Sequence, residues 1–403
     1  MSDKNSRYKK KITRLLYFAP QLSCAELSAG IDKSIPLTAR LLNELQEEGF
    51  VVETGFAPST GGRRAAMYAL QANKLYTVSV AMDQFITRIA IMDGKNNLVT
   101  PVVQMDLPLA NNNTAYAELT KKIAKTIQSS GISKEKIIGI GIGMPGFIDI
   151  SKGVNYSFLP TGGKSIASVI EDEIGLPVFI DNDSSLVALA ELRFGAARGK
   201  ANVMVINIGW GIGLGMIVNG ALFRGYNGFA GEFSHIPLFL NNKLCSCGKS
   251  GCLETEASMQ VVGAKLPEGI EAGRVCALKE LPDDYEKASN LIIEAARNGD
   301  QFAMELLSET AYNIGRGIAI LIHILNPELV VLSGRGAQAG KMLLAPVQQA
   351  LNIYCIPRLA ASTALDVSSF SNNAELIGAA ALVFENLEKR KPVRHSEIES
   401  VLK

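Results

Sequence analysis

Residues 203–223 read VMVINIGWGIGLGMIVNGALF. Val203–Ile208 has the length and apolarity of a buried strand, and Gly213–Val218 and Ala221–Phe223 follow it as two more. The same succession stands earlier in the chain: Tyr76–Met82, then Ile86–Met92 after a tight turn, then Leu98–Met105. Helical and strand patterns alternate behind both sets. Thr114–Ser129 predicts an amphipathic helix with Tyr116, Leu119, Ile123 and Ile127 on one face, and Ile137–Ile142 predicts a buried strand running into Met144-Pro145-Gly146. Ser184–Phe194 predicts another helix, and the apolar Gly315–Leu325 feeds a strand at Leu329–Ser333. A recurring β-β-β unit with α/β segments behind it predicts a duplicated, two-lobed α/β body. Residues 74–195 are the first lobe and 196–372 the second, which carries the oligomerisation surface. A last helix, Asn373–Leu387 within residues 373–403, is expected to pack back on the first lobe.

Residues 1–73 have a different texture. Ile12, Leu15 and Leu16, then Leu22 and Leu27, recur at helical spacing, and Cys24–Ala29 predicts a short helix that Gly30 ends. Ser34 offers an N-cap with Pro36 in the first turn of a helix that runs to Glu48 and stops at Gly49. Leu37, Leu41, Leu42 and Leu45 form its apolar face, leaving Ser34, Thr38, Arg40 and Asn43 pointing elsewhere. Phe50–Glu53 and Ala66–Leu70 read as strands around the turn Pro58–Gly62, which ends in Arg63 and Arg64. This is a winged helix-turn-helix. Such a helix enters the major groove with its first turns against base edges, while wing arginines reach phosphates or a minor groove. Ser34, Thr38, Arg40, Arg63 and Arg64 are therefore the candidate DNA-contacting residues. The alternative is a protein-docking module whose N-terminal lysines are a solvated tail.

Composition bounds the function. Of 403 residues, 20% are charged and 47% hydrophobic, and 40 basic against 39 acidic side chains leave a net charge of +1, so bulk charge does not make the chain a polyanion binder. The first 73 residues carry ten Lys and Arg against seven acids, a basic head on a slightly acidic remainder. No stretch approaches the ~18 apolar residues of a membrane span, and no signal-peptide core follows the first lysines. A cytoplasmic protein with no membrane partner is expected. Single cysteines at 24, 276 and 355 fit a reducing compartment.

The other three cysteines are bunched. His235, one of only three histidines, precedes Cys245-Ser246-Cys247-Gly248, and Cys252 follows. Three thiols and one imidazole make a closed tetrahedral donor set that suits structural zinc, with no open position for activating water. Satisfied core cysteines are the bland alternative. As a metal site, His235, Cys245, Cys247 and Cys252 would pin the loop that carries Glu232 and Glu254.

The stretch Gly231-Glu232-Phe233-Ser234-His235, followed by CSCGKSGCLE from Cys245 to Glu254, is similar to the signature of the ROK family, named for repressors, open reading frames and kinases acting on sugars. The likeness extends to Pro145-Gly146 with Asp149, Asp181-Asn182-Asp183, Gly209–Gly215, Asn219-Gly220, Asn326-Pro327-Glu328 and Gly334. It implies the ribonuclease H-like, duplicated β-β-β-α-β-α architecture of actin-like, sugar-kinase-like ATPases. Family kinases begin at their first body strand, so residues 1–73, with Gly61-Gly62-Arg63-Arg64 in the wing, resemble the branch that represses N-acetylglucosamine, glucose-system or xylose genes. The resemblance implies a catalytic base at Asp183, with Asn182, Glu232, His235 and Glu254 around a sugar ring. Asn182 and Asp183 also precede a helix, where they could serve only as caps.

Three segments depart from the kinase pattern. The first phosphate loop, DxGGT in ROK kinases, reads Asp83-Gln84-Phe85-Ile86-Thr87, and Trp210 stands where kinases carry a threonine in the second. Both changes remove phosphate-binding capacity, which leaves Asp183 a vestigial base without a γ-phosphoryl group to transfer. Before it, Phe158-Leu159-Pro160-Thr161-Gly162 replaces the Asn-Leu-Pro-Gly-Trp sugar-contacting segment. The expectation is a sugar-responsive repressor, not an enzyme, with structural zinc, operator DNA and a sugar or sugar phosphate as partners, and a homodimer or homotetramer as its assembly. A phosphotransferase-system protein is a further partner that the resemblance implies. The rival is an ATP-dependent sugar kinase carrying a DNA-binding head.

Overall fold

The computed structural model describes residues 2–58 and 64–388, the side chains of residues 2, 3, 285 and 286 excepted. The chain forms two compact units, Met1–Asp183 with Leu376–Lys403, and Ser184–Glu375. The first begins with α1 (Ser2–Phe18), β1 (Leu22–Ser23), α2 (Cys24–Ile31), α3 (Ile35–Glu47), β2 (Val51–Phe56) and β3 (Ala66–Leu70). α2 opens on a reciprocal capping box: Ser23 Oγ accepts from the Glu26 N–H, and the Ser23 N–H donates to the Glu26 carboxylate at 2.7 Å. Gly30 does not end this helix as expected. The helix runs on to Ile31 and closes with Asp32 in the left-handed region, φ 54°, while Gly30 packs against the Leu15 side chain of α1. Ile12, Leu16, Leu27, Ile31, Leu41, Leu42 and Leu45 are buried at the centre of the head. β1, β3 and β2 form an antiparallel sheet in that order. β2 outlasts the expected Phe50–Glu53 because a bulge leaves Thr54 unpaired and the pairing resumes at Gly55, φ 117°, and Phe56.

The first lobe follows: β4 (Tyr76–Met82), β5 (Ile86–Asp93), β6 (Val103–Asp106), α4 (Ala115–Ser129), β7 (Ile137–Met144), the small hairpin β8 (Ile148–Asp149) and β9 (Val154–Asn155), α5 (Ile166–Ile174) and β10 (Val178–Asn182). The sheet runs β10-β7-β4-β5-β6, with β4, β5 and β6 antiparallel and β7 and β10 parallel additions. Every residue of β4, β5 and β7 is buried, as the apolar run of β7 predicted, and β4 and β5 bury Thr77, Ser79, Thr87 and Arg88 with their apolar residues. The third strand starts at Val103, not Leu98. Leu98 makes only an isolated bridge to Met92, and Pro101, with no N–H to give a ladder, lies between.

The second unit comprises α6 (Asp183–Phe194), whose first residue belongs to the first unit, then β11 (Val203–Ile208), β12 (Ile212–Val218) and β13 (Ala221–Phe223). After them come α7 (Glu254–Ala257), α8 (Met259–Glu271), α9 (Tyr285–Arg297), α10 (Gln301–Leu325), β14 (Leu329–Ser333), α11 (Leu344–Tyr354), α12 (Pro357–Ser362) and β15 (Ala364–Val367). Its sheet runs β13-β12-β11-β14-β15. In both sheets the first strand of the meander is central, the second and third lie to one side, and two later parallel strands lie to the other. That shared order is the duplication read from the strand pattern. α10 is far longer than the expected Gly315–Leu325, starting after Asp300, whose carboxylate accepts from the Ala303 N–H at 2.8 Å.

α13 (Ala374–Glu385) returns to the first lobe, where Leu376 and Ala380 pack with Ala81, Ala90 and Met92. Gly141 of β7 lies directly under the Ala379 backbone, a place where any Cβ would collide with the carbonyl. Phe384 stacks on Tyr17 of α1, ring centroids 3.5 Å apart, and the Tyr17 hydroxyl donates to Asn96 Oδ1. Burial raises the Tyr17 phenol well above its usual range.

Candidate functional site

The cysteine loop is a knuckle. Its arms are held by bridges between Leu244 and Ser250 and between Pro237 and Cys252, and the Cys245 N–H donates to the Lys249 carbonyl at 2.8 Å. His235, Cys245, Cys247 and Cys252 are thereby brought together, their donor atoms all within 4.8 Å of one another. Cys245 Sγ lies 3.5 Å from His235 Nδ1, and Cys247 Sγ lies 3.7 Å from Cys252 Sγ. A tetrahedral ion with bonds of about 2.3 Å to sulfur and about 2.0–2.1 Å to nitrogen separates its ligands by about 3.5–3.8 Å. The donors fit, and the cluster can hold a metal ion. As free thiols they are unequal: burial pushes Cys252 up to about 12, while the Lys249 backbone N–H draws Cys247 down.

The other face of the same imidazole meets the carboxylates. His235 Nε2 lies 3.6 Å from Glu232 Oε2, and Cys245 Sγ points to Glu254 Oε1 at 3.9 Å. Glu254 leans on the glycine-rich loop: a Cβ at Gly211 would stand 2.9 Å from its Oε2. Burial raises the Glu232 carboxyl. One ring nitrogen thus faces the metal donors and the other a carboxylate, which gives His235 the means for both roles expected of it.

Asn182 and Asp183 lie in the first unit's sequence, at the end of β10 and the start of α6. Asn182 pairs with Met144 of β7, and its Nδ2 donates to the Gly146 carbonyl at 3.5 Å. Both side chains are half-buried, at the carboxyl end of two parallel strands where α/β sheets place their ligands. Asn155 was not foreseen. It is buried, donates to the Pro145 carbonyl at 2.9 Å, and accepts from the N–H groups of Ser157 and Phe158, so it holds the loop facing those strand ends. A polar residue closing the two-residue strand β9 is too local a signal to single it out in sequence.

The segments that match the kinases' phosphate loops are tied by hydrogen bonds within the chain. Asp83 Oδ1 accepts from the Phe85 and Ile86 N–H groups at 2.8 and 2.7 Å, closing a turn between β4 and β5. In the second loop the Gly209 and Trp210 carbonyls accept from the Met259 and Gln260 N–H groups at the start of α8, and the Trp210 ring lies against Gly263 of that helix.

The head presents α3 differently from its expected face. Thr38 is 0% exposed and its hydroxyl donates to the Ser34 carbonyl at 3.0 Å, so it is an interior residue, while Leu37 is half-buried. Bonding to the preceding turn lets a threonine occupy a core position. Ser34 is exposed and makes no side-chain capping bond. Arg40 is exposed and forms an i,i+4 pair with Glu44 at 3.3 Å. Ile35, 55% exposed at the first residue of α3, was not foreseen. Arg64 is exposed, and Arg63 lies outside the described residues.

Residues 87–386 match the ROK family. The chain belongs to the ROK family. Within it, a glucokinase of Halalkalibacterium halodurans is 36% identical over 284 residues, 68% of this chain and 85% of that protein. A xylose repressor of Caldicellulosiruptor bescii is 29% identical over 389 residues, 94% of this chain and 96% of that one. Among solved structures, a ROK family transcriptional regulator described as a homolog of the E. coli MLC protein superposes with a TM-score of 0.76 at 25% identity, over 96% of this chain and 97% of its own. The ROK kinase match leaves about a third of this chain uncovered, whereas the ROK regulators match it nearly end to end. No helix among the described residues is long and apolar enough to cross a membrane.

Proposed function

We propose that this ROK protein is a cytoplasmic, sugar-responsive transcriptional repressor that binds operator DNA through its N-terminal head. The observation that carries the reading is the near end-to-end match to a xylose repressor and to a ROK regulator structure, head included. Ser34, Arg40, Arg63 and Arg64 are the proposed DNA contacts, and Thr38 is withdrawn from that set because it is buried. Asn182, Asp183, Glu232, His235 and Glu254 are the proposed contacts to a sugar or sugar phosphate. Carboxylates accept from vicinal hydroxyls in pairs, and Glu232 and Glu254 are held by a knuckle that we assign to structural zinc from its donors and their spacing. A homodimer or homotetramer reading two half-sites, and a phosphotransferase-system protein as partner, complete the proposal.

Regulation follows from linkage. A sugar that binds one conformation more tightly shifts the DNA-binding equilibrium by its ratio of affinities and no further. The second reading, a sugar kinase, draws on the glucokinase relative. Against it stand the amides of Phe85 and Ile86, already bonded to Asp83, and Trp210, an indole where kinases carry a threonine hydroxyl. Asp183 is then a base with no phosphoryl donor held beside it. Sugar-dependent ATP consumption that Asp183→Asn abolishes would overturn the repressor-only reading. Palindromic duplex binding that a sugar releases, with no ATP consumption, supports it.

A further inference from the structure

Beside the turn between α2 and α3 the head carries a cavity of about 250 Å³ whose walls include Lys4, Arg7, Tyr8 and Lys11 of α1, and Asp32 and Lys33 of the turn. Four cations face one carboxylate across it. Lys33 Nζ sits over the Tyr8 ring, 5.4 Å from its centroid, and neither Lys33 nor Lys4 forms an ion pair among the described residues. Arg7 and Lys11 lie 4.0 and 3.9 Å from the Glu388 carboxylate, which Arg14 already engages at 3.2 Å. One acid beyond the end of α13 is thus shared by three cations of α1. The neighbourhood is left strongly positive, and an anion entering it gains from every cation at once.

The cavity's place decides what kind of anion. Lys33 immediately precedes Ser34, the N-cap of α3, and α3 is the helix whose first turn is exposed for a groove. When such a helix enters N-terminus first, the residues flanking its start come against the sugar-phosphate backbone at the groove edge. We propose that the cavity is a phosphodiester site: Lys4 and Lys33 hold one operator phosphate, and Glu388 competes with it for Arg7 and Lys11. The proposal rests on the DNA-binding reading and adds a contact that neither the recognition helix nor the wing supplies.

The test measures affinity of the full-length protein for a duplex selected by that same protein, between about 50 and 200 mM salt. A Lys4→Ala/Lys33→Ala double variant should weaken binding several-fold on every duplex alike, and lower the slope of log K against log salt by about one. Glu388→Gln should act in the opposite sense and tighten binding, with the selected sequence unchanged. Lys4 is exposed and Lys33 half-buried, whereas the Glu388 side chain is only 14% exposed, so thermal melts of both variants that match the parent exclude a folding defect. Specific binding by the parent protein with unchanged affinity and slope in both variants would overturn the phosphate site alone. A parent protein that binds no duplex would overturn the DNA reading and this site with it.

Discussion

His235 gives one ring nitrogen to the cysteine knuckle and the other to Glu232. Cys252→Ser should therefore do more than remove a buried thiol: metal content should fall from one equivalent to none by elemental analysis, and the melting temperature should fall with it, since a structural ion contributes directly to folding. Retention of a full equivalent would contradict the ligand set. On α3 the side chains separate cleanly by burial. Arg40→Ala should weaken operator binding by about 1–3 kcal/mol if the guanidinium meets a base, or reduce the salt slope by about one if it meets a phosphate. Thr38→Val should leave DNA affinity within about twofold, because the hydroxyl is spent on the Ser34 carbonyl. Polarity placed Thr38 outside in the sequence, and burial with that bond places it inside. Residue type carries no record of which neighbour satisfies it.

At the scale of elements, α1 is pinned to α3 by a buried lysine. Lys9 is 1% exposed, with Nζ 3.0 Å from Glu44 and 2.6 Å from Glu48. Burial opposes its charge, but the two carboxylates outweigh burial and raise its pKa. A raised lysine stabilises the fold fully below its unfolded value of about 10.4 and loses that contribution only as pH rises through the folded value. Lys9→Ala should accordingly cost about 1–3 kcal/mol in denaturant melts, and equally at pH 6 and pH 8, the glutamates' partial exposure keeping the loss below that of a wholly buried pair. Gly141→Ala should destabilise by a similar amount by pushing Ala379 and α13 off the sheet. The strands β4, β5, β7, β11 and β14 were legible in sequence because burial on both faces leaves a mostly apolar run, interrupted only by residues such as Thr77, Ser79, Thr87, Arg88 and Asn207. α5, β10, α8, α9, α11 and β15 were not singled out. β15 alternates exposed and half-buried residues at a sheet edge, and the first half of α10 is amphipathic, so neither gives the uniform signal that marked Gly315–Leu325.

For the whole molecule, the cysteine knuckle, whose donors can hold a metal, was the part of the candidate site most readable from spacing alone. The Asp83 turn is local, bonding amides two and three residues on, whereas the seating of the Gly209–Trp210 carbonyls on the start of α8 is a long-range contact that spacing does not encode. The engaged Phe85 and Ile86 amides, with Trp210 in place of a threonine, predict that hexoses or pentoses elicit no ATP consumption, and that Asp183→Asn changes none of the DNA-binding affinity measured without sugar. The central claim joins a DNA-reading head to a sugar-binding body, and selection from a random duplex pool by the full-length protein, with and without a panel of sugars and sugar phosphates, tests it most directly. The account predicts enrichment of a palindromic site at physiological salt that one sugar or sugar phosphate abolishes. No enriched sequence under any condition, or an enriched site that every sugar leaves intact, would contradict it.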